Sequence, residues 1–272
     1  MAREVIDGKQ IDAKQLKKKF RYPKLEFDKL QMYFGKPYVV NLDGANGSIV
    51  IKMPTVGNVM MYGEKLFHEA LSIFVTNTTS YRLALWDSGI DWNEISDFEL
   101  FCMLYTRLDK GAVDLIFDGL DFSKFQLQKK MINEEPQIVL YNKEDDIEIN
   151  EDVYQYIHQY LQEVFNIFPA EKITHSKTMK EMFIHKDRLE FERNKDESKN
   201  SSMQALISSC VNHPGFKYKL NELTQLGIAE FYDSVKRLQI YESSTALMKG
   251  MYSGFVDSSK ISSDSYNFMK EI

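Results

Sequence analysis

The spacing of hydrophobic residues predicts a mainly helical chain. Apolar positions recur at helical spacing in several stretches, each with a start or stop signal nearby. Ser96 and Glu99 form a capping-box pattern, and Asn150 is a typical N-cap residue. The predicted helices are Pro54–Phe74, Thr79–Ser88, Ser96–Leu108, Asn150–Phe168, 176–200, Met203–Val211, Ile228–Lys249 and Ser263–Ile272.

Glycines modify the prediction for two of these helices. Gly57 and Gly63 lie inside the first one, where glycine is unfavourable, and they indicate close packing or a bend. Gly250 follows directly after Lys249 and is expected to stop the long helix there.

Shorter runs with strand character predict small antiparallel sheets. Tyr38–Leu42 and Ser48–Met53 flank the turn-forming residues 43–47, which is typical of a hairpin. Between residues 112 and 150 the pattern changes to four more short runs. The fold class predicted is therefore α+β and mainly α-helical. The four later runs are Val113–Phe117, Phe125–Gln128, Gln137–Tyr141 and Ile147–Ile149.

Changes in composition divide the chain into four predicted parts. Residues 1–24 are polar with a basic run, and we interpret them as an N-terminal arm. Residues 25–175 form a helical module with a small antiparallel sheet. Residues 176–202 are a charged helix that ends in a linker, because Glu192–Asn200 has no aliphatic residue. Residues 203–272 form a C-terminal helical module.

Composition and charge narrow the function classes. With 43% hydrophobic and 13% aromatic residues, the 272-residue chain can bury a sizeable core. The net charge of −6 disfavours general nucleic-acid binding, which needs a basic face to displace counterions. The start has no apolar signal core, and no window approaches the roughly 18 apolar residues of a membrane span. The expected compartment is the cytoplasm.

The search for catalytic and metal-binding patterns favours a non-enzymatic protein. The histidines lack metal-ligand spacing, and neither a phosphate-binding loop nor a nucleophile elbow occurs. No catalytic, cofactor-binding or metal-binding residue is therefore predicted. The alternative uses Asp87, Asp91 and Asp97, which cluster around two tryptophans and could perform acid–base chemistry in an enzyme or a nucleic-acid processing factor.

Aromatic residues are the candidate partner-binding residues, because Trp, Tyr and Arg dominate interface hot spots. One group comes from the predicted helical module, and the other comes from two aromatic turns in the C-terminal module. The alternative for the tryptophans is that both anchor the N-terminal core. The candidates are Tyr81, Trp86, Trp92, Phe216, Tyr218, Tyr252 and Phe255.

The same stretches carry a resemblance. Pro54–Gly57 with Tyr62–Glu64, Tyr81–Trp92, Val211–Tyr218 and Tyr252–Phe255 resemble uncharacterised tail-module proteins of tailed bacteriophages and prophages of Gram-positive bacteria. Such genes lie among those for the virion and tail, so the resemblance implies morphogenesis. Many tail assembly chaperones are similarly acidic and helical, although this chain is longer than many of them and has a strand-rich middle. The resemblance assigns no functional residue.

These observations predict a phage protein that acts in tail morphogenesis through protein–protein contacts, as a tail assembly chaperone or a virion structural component. Its partners would be other tail proteins, such as tape-measure or tube proteins, or further copies of itself. It would reside in the host cytoplasm or in the virion. Besides the carboxylate-based alternative, a host-directed binding protein of the phage remains open.

Overall fold

The computed structural model describes residues 5–6, 9–10, 22–42, 47–132, 135–194, 202–257, 259 and 261–270. Helices dominate it and three small antiparallel sheets complete it, so the predicted mainly helical α+β class is confirmed. No helix in these ranges has the length and apolar character needed to cross a bilayer.

Two small hairpins and six helices make up the first half of the described chain. The strands are β1 (Val5–Ile6), β2 (Lys9–Gln10), β3 (Tyr38–Asn41) and β4 (Ser48–Ile51). The helices are α1 (Lys29–Tyr33), α2 (Val56–Tyr62), α3 (Glu64–Val75), α4 (Arg82–Asp87), α5 (Asp97–Leu104) and α6 (Lys110–Ile116).

A three-stranded sheet and six further helices follow. The sheet has the order β5 (Gln126–Ile132), β6 (Glu135–Asn142) and β7 (Ile147–Ile149), all antiparallel. The helices are α7 (Glu151–Phe165), α8 (Lys177–Asn194), α9 (Ser202–Val211), α10 (Leu220–Leu223), α11 (Ile228–Tyr252) and α12 (Ser263–Tyr266).

The core centres on aromatic rings from α3, α5 and α7. Phe74 lies 5.4 Å from Phe101 and 5.1 Å from Phe117, measured between ring centroids. Tyr154 of α7 lies 5.0 Å from Phe101, and all four rings are buried. Tilted and edge-on pairs of this kind stabilise a core beyond the area that they bury.

Local signals placed several elements correctly. The Ser96 hydroxyl accepts a hydrogen bond from the Glu99 N–H at 3.1 Å, and the Glu99 carboxylate accepts one from the Ser96 N–H at 2.7 Å. Asn150 caps α7 by accepting from the Val153 N–H at 2.9 Å. The hairpin is confirmed by the pairing of β3 with β4, although residues 43–46 of its turn lie outside the described residues.

Both glycine signals in the first predicted helix are confirmed. Gly63 has φ +121°, a conformation that L side chains rarely adopt, and it separates α2 from α3. Gly57 lies directly against the backbone of Thr224, and its N–H donates to the Thr224 carbonyl at 2.9 Å. The predicted continuous helix is thus two helices.

The predicted strand Val113–Phe117 is wrong, because these residues belong mostly to α6. Asp109 caps this helix by accepting a hydrogen bond from the Ala112 N–H at 3.1 Å. This capping signal overrides the strand preference of the β-branched residues. Only Phe117 has strand character, as an isolated bridge to Ile51.

The ends of three predicted helices also differ. α11 continues through Gly250 to Tyr252, so the predicted stop is wrong. Gly254, with φ +76°, lies in the turn that follows. The predicted helix Ser263–Ile272 is a single turn, Ser263–Tyr266, and 271–272 lie outside the described residues. The charged helix ends at Asn194, and 195–200 of the predicted linker also lie outside.

The C-terminal segment is joined to the start of α2 by backbone hydrogen bonds. The Ile228 N–H donates to the Pro54 carbonyl, and the Val56 N–H donates to the Leu226 carbonyl, both at 2.9 Å. With the Gly57–Thr224 bond they form a seam, which we call the α2 seam. Leu223, Ile228 and Phe231 are fully buried next to it. The four-part division of the chain stays a prediction.

We expect Gly57→Ala to destabilise the fold through the α2 seam. A methyl group at this position would lie 2.5 Å from the Thr224 carbonyl oxygen. The backbone of α2 or of Thr224 would therefore have to shift. The expected loss in unfolding free energy is about 1–3 kcal/mol, measured by urea denaturation. Gly47→Ala is the control, since its methyl group would meet Leu42 at an ordinary 3.6 Å. Equal stability of both variants would contradict this account of the seam.

Candidate protein-binding surface

The three candidate carboxylates have separate structural partners. Asp87 accepts a hydrogen bond from the Arg188 guanidinium at 2.5 Å, and Asp91 pairs with the Lys180 ammonium. Both partners belong to α8, so these carboxylates attach that helix to α4 and the loop after it. Asp97 instead accepts from the Thr78 N–H at 2.8 Å. The structure therefore uses each of the three for a local contact.

The acidity of Asp97 is altered by its surroundings. Burial raises the pKa of this carboxyl from 3.8 to about 6, the Thr78 hydrogen bond opposes the shift, and the charge of Glu171 adds to it. It lines a cleft of about 520 Å³ with His158 and Gln155. No group of three or more metal-ligating side chains occurs within the described ranges.

The aromatic candidates of the N-terminal part lie in or near the core. Trp92 is 1% exposed, and its indole N–H donates to the Lys172 carbonyl at 3.1 Å. Trp86 packs 6.0 Å from Trp92, and both Trp86 and Tyr81 are half-buried. Trp92 is therefore a core residue in this structure and presents no surface to a partner. This agrees with the core alternative for that residue.

The C-terminal candidates Tyr252 and Phe255 are on the surface. They are 89% and 90% exposed, and they lie at the end of α11 on a hydrogen-bonded turn. The N–H groups of Phe255 and Val256 both donate to the Gly250 carbonyl, at 3.0 and 3.1 Å. We call Tyr252 and Phe255 the aromatic tip. A pair of aromatic rings held in this way offers a large apolar contact area.

Phe216 and Tyr218 are half-buried beside α11. The turn before them is fixed by His213, whose ring nitrogen accepts the Gly215 N–H at 3.0 Å and whose carbonyl accepts the Phe216 N–H at 3.0 Å. The Tyr218 hydroxyl donates to Glu230 of α11. These contacts fix the conformation of the turn and its position against α11.

A groove runs along α11 next to this turn. One part, of about 510 Å³, is lined by Tyr33, Phe216, Leu238, Tyr241 and Phe268, together with polar residues. A smaller depression adjoins it, lined among others by Met32, Val164 and Tyr232, and both share Tyr33 and Asp233. We call the two together the α11 groove.

Sequence reasoning did not identify most of this groove. Tyr241 is 50% exposed and lies 6.0 Å from the ring of Phe268. Tyr33 is in α1, for which no element was predicted. No spacing in the sequence groups these residues, because they come from separate elements that meet only through tertiary packing.

A comparison with known families finds a relationship for the C-terminal part of the chain. A family described as YomV second domain matches residues 194–272, which is less than a third of the chain. YomV is a Bacillus phage and prophage protein, so the match indicates a phage-derived protein. The matched range includes α11, the aromatic tip and most of the α11 groove. Neither a curated protein nor a solved structure matches significantly.

Asp97 should make the stability depend on pH. Because its folded-state pKa of about 6 lies above 3.8, its stabilising effect is complete below pH 3.8 and is lost as the pH rises through about 6. Asp97→Asn keeps the acceptor for the Thr78 N–H but does not titrate. As the pH rises from 3.8 through about 6, we expect its unfolding free energy to increase by about 1–2 kcal/mol relative to that of the wild type. Thermal denaturation from pH 4 to pH 7 measures the difference, and parallel profiles would refute the assignment.

Proposed function

We propose that this chain is a non-enzymatic phage protein that acts in tail morphogenesis through protein–protein contacts. The observation that carries the proposal is the aromatic tip, where two rings about 90% exposed lie in the segment similar to the YomV second domain. Two large exposed aromatic side chains three residues apart supply apolar surface of the kind that protein–protein contacts bury. The resemblance of the aromatic stretches to tail-module proteins supports the placement in tail assembly.

The mechanism is burial of apolar surface. The aromatic tip and the α11 groove contact a partner, such as a tape-measure or tube protein or a further copy of the chain, and remove apolar area from water. As a tail assembly chaperone the protein would leave before the tail is complete, and as a structural component it would remain. Mass spectrometry of purified virions separates these two roles.

A second candidate function is favoured by Asp97. A carboxyl group whose pKa is raised to about 6 in a cleft is the kind of group that transfers protons near neutral pH. This alternative makes the chain a carboxylate-based enzyme and leaves the aromatic tip without a role.

Replacing the aromatic tip should remove partner binding and preserve the fold. In Tyr252→Ser/Phe255→Ser, we expect co-purification with tail proteins, from co-expression of the phage tail gene cluster, to fall at least tenfold, a loss of about 1.4 kcal/mol or more. Both rings are exposed, so the melting temperature should change little.

The control is Met61→Ser/Met131→Ser, which removes two other exposed apolar side chains, 90% and 69% exposed, away from α11. It should bind like the wild type. If wild-type protein co-purifies with no tail protein and is absent from virions, the proposed function is refuted.

A further inference from the structure

We infer that the α11 groove binds an acidic amphipathic segment of a partner protein. The inference rests on the proposed function, since it names the chemistry of the partner that the same surface would contact. Three properties of the groove support it: its apolar side chains, its basic rim and the orientation of its aromatic rings.

Apolar side chains contribute much of the lining of the groove. Leu238 and Tyr241 lie on α11, Phe216 comes from the His213 turn, and Tyr33 joins the two depressions. α11 therefore forms one wall, while α1 and the His213 turn form the other. Such a groove accepts the apolar face of a helix or extended segment.

The rim carries more positive than negative charge. Lys29, Lys217, Lys236 and Arg237 line the groove, against the carboxylates of Glu163 and Asp233. Glu163 is already paired with Lys24 at 3.4 Å. The rim is thus basic on a chain whose net charge is −6.

Among the described residues the rim cations form no direct ion pairs, and Asp233 and Glu230 act on Lys217, Lys236 and Arg237 only at longer range. Lys236 donates to the neutral Asn166 side chain at 3.1 Å, and Arg237 donates to the Lys270 carbonyl at 2.6 Å. The Lys217 ammonium lies 4.6 Å from the centre of the Tyr218 ring. In the part of the chain that the structure covers, no carboxylate lies within 4 Å of any of the four. A partner with carboxylates beside its apolar anchors would complement this rim.

The aromatic rings favour a protein over a nucleic acid. Single strands stack their bases on open, parallel ring faces. Here the rings pack edge-on against each other, at 84° for Tyr241 and Phe268 and 70° for Phe216 and Tyr218. The Asp233 carboxylate in the middle of the groove would also repel phosphates. These features favour aliphatic and aromatic side chains as the anchors.

Site-specific crosslinking in the full-length protein tests the inference. A benzoylphenylalanine replaces Tyr241 in the groove and, in a parallel variant, Phe255 at the aromatic tip, each co-expressed with the tail gene cluster. We expect the Tyr241 probe to capture a segment of another phage protein with apolar residues at helical spacing and net negative charge, identified by mass spectrometry of the crosslinked peptides.

Charge reversal supplies the second part of the test. Lys217→Glu/Lys236→Glu should lower the yield of that crosslink about tenfold, because rim charges act on the rate of association. Lys129→Glu/Lys143→Glu makes the same change in net charge at exposed positions outside the groove and should preserve the yield. Replacing acidic residues of the captured segment with lysine should restore crosslinking to the reversed groove.

Each other result overturns the inference. These results are no crosslink from the groove, capture of a basic or non-amphipathic segment, capture of nucleic acid or of a second copy of this chain, or equal yields for the two reversed variants. Capture by the Phe255 probe without capture by the Tyr241 probe would refute the groove alone and leave the proposed function intact. Failure of both probes, with absence from virions, would refute the proposed function too.

Discussion

The α2 seam is the contact on which the rest of the structure depends. It joins Pro54–Gly57 to Thr224–Ile228, two segments about 170 residues apart in the chain, through backbone groups. Buried backbone donors and acceptors must be paired, and here each side satisfies the free groups of the other. The seam orients the first turn of α11, and α11 in turn forms a wall of the groove and carries the aromatic tip. The segment similar to the YomV second domain is thus anchored in the N-terminal core.

Capping and glycine signals in the sequence predicted much of the fold, but they predicted little of the α11 groove. Capping by Ser96 and Asn150 and the break at Gly63 depend on neighbouring residues, so sequence shows them. α6 was mistaken for a strand because its β-branched residues hid the capping signal of Asp109. The groove was missed because Tyr33 and Tyr241 meet only after long-range packing. The sequence identified Tyr252 and Phe255 as candidate partner-binding residues, but only the structure shows that both are exposed.

α8 shows how charge can position a helix that apolar burial does not hold. Of its eighteen residues only Ile184 is buried. Arg82, itself 8% exposed, forms a two-pronged ion pair with Asp187, and two further pairs connect α8 to Asp87 and Asp91. A two-pronged pair of a guanidinium and a carboxylate group fixes the relative orientation of the two side chains and also stabilises their contact. Two residues of the acidic cluster that suggested catalysis therefore attach α8, while Asp97 holds the Thr78 backbone instead.

The length of α11 has a mechanical consequence. A helix of 25 residues extends roughly 37 Å, and its first residues are fixed at the seam while its last ones carry the exposed rings. A tilt of about 5° at the fixed end moves the far end by roughly 3 Å over that length. A small change in the orientation of α11 at the seam would therefore be enlarged at the aromatic tip. The seam at one end of α11 therefore determines where the aromatic rings lie at the other.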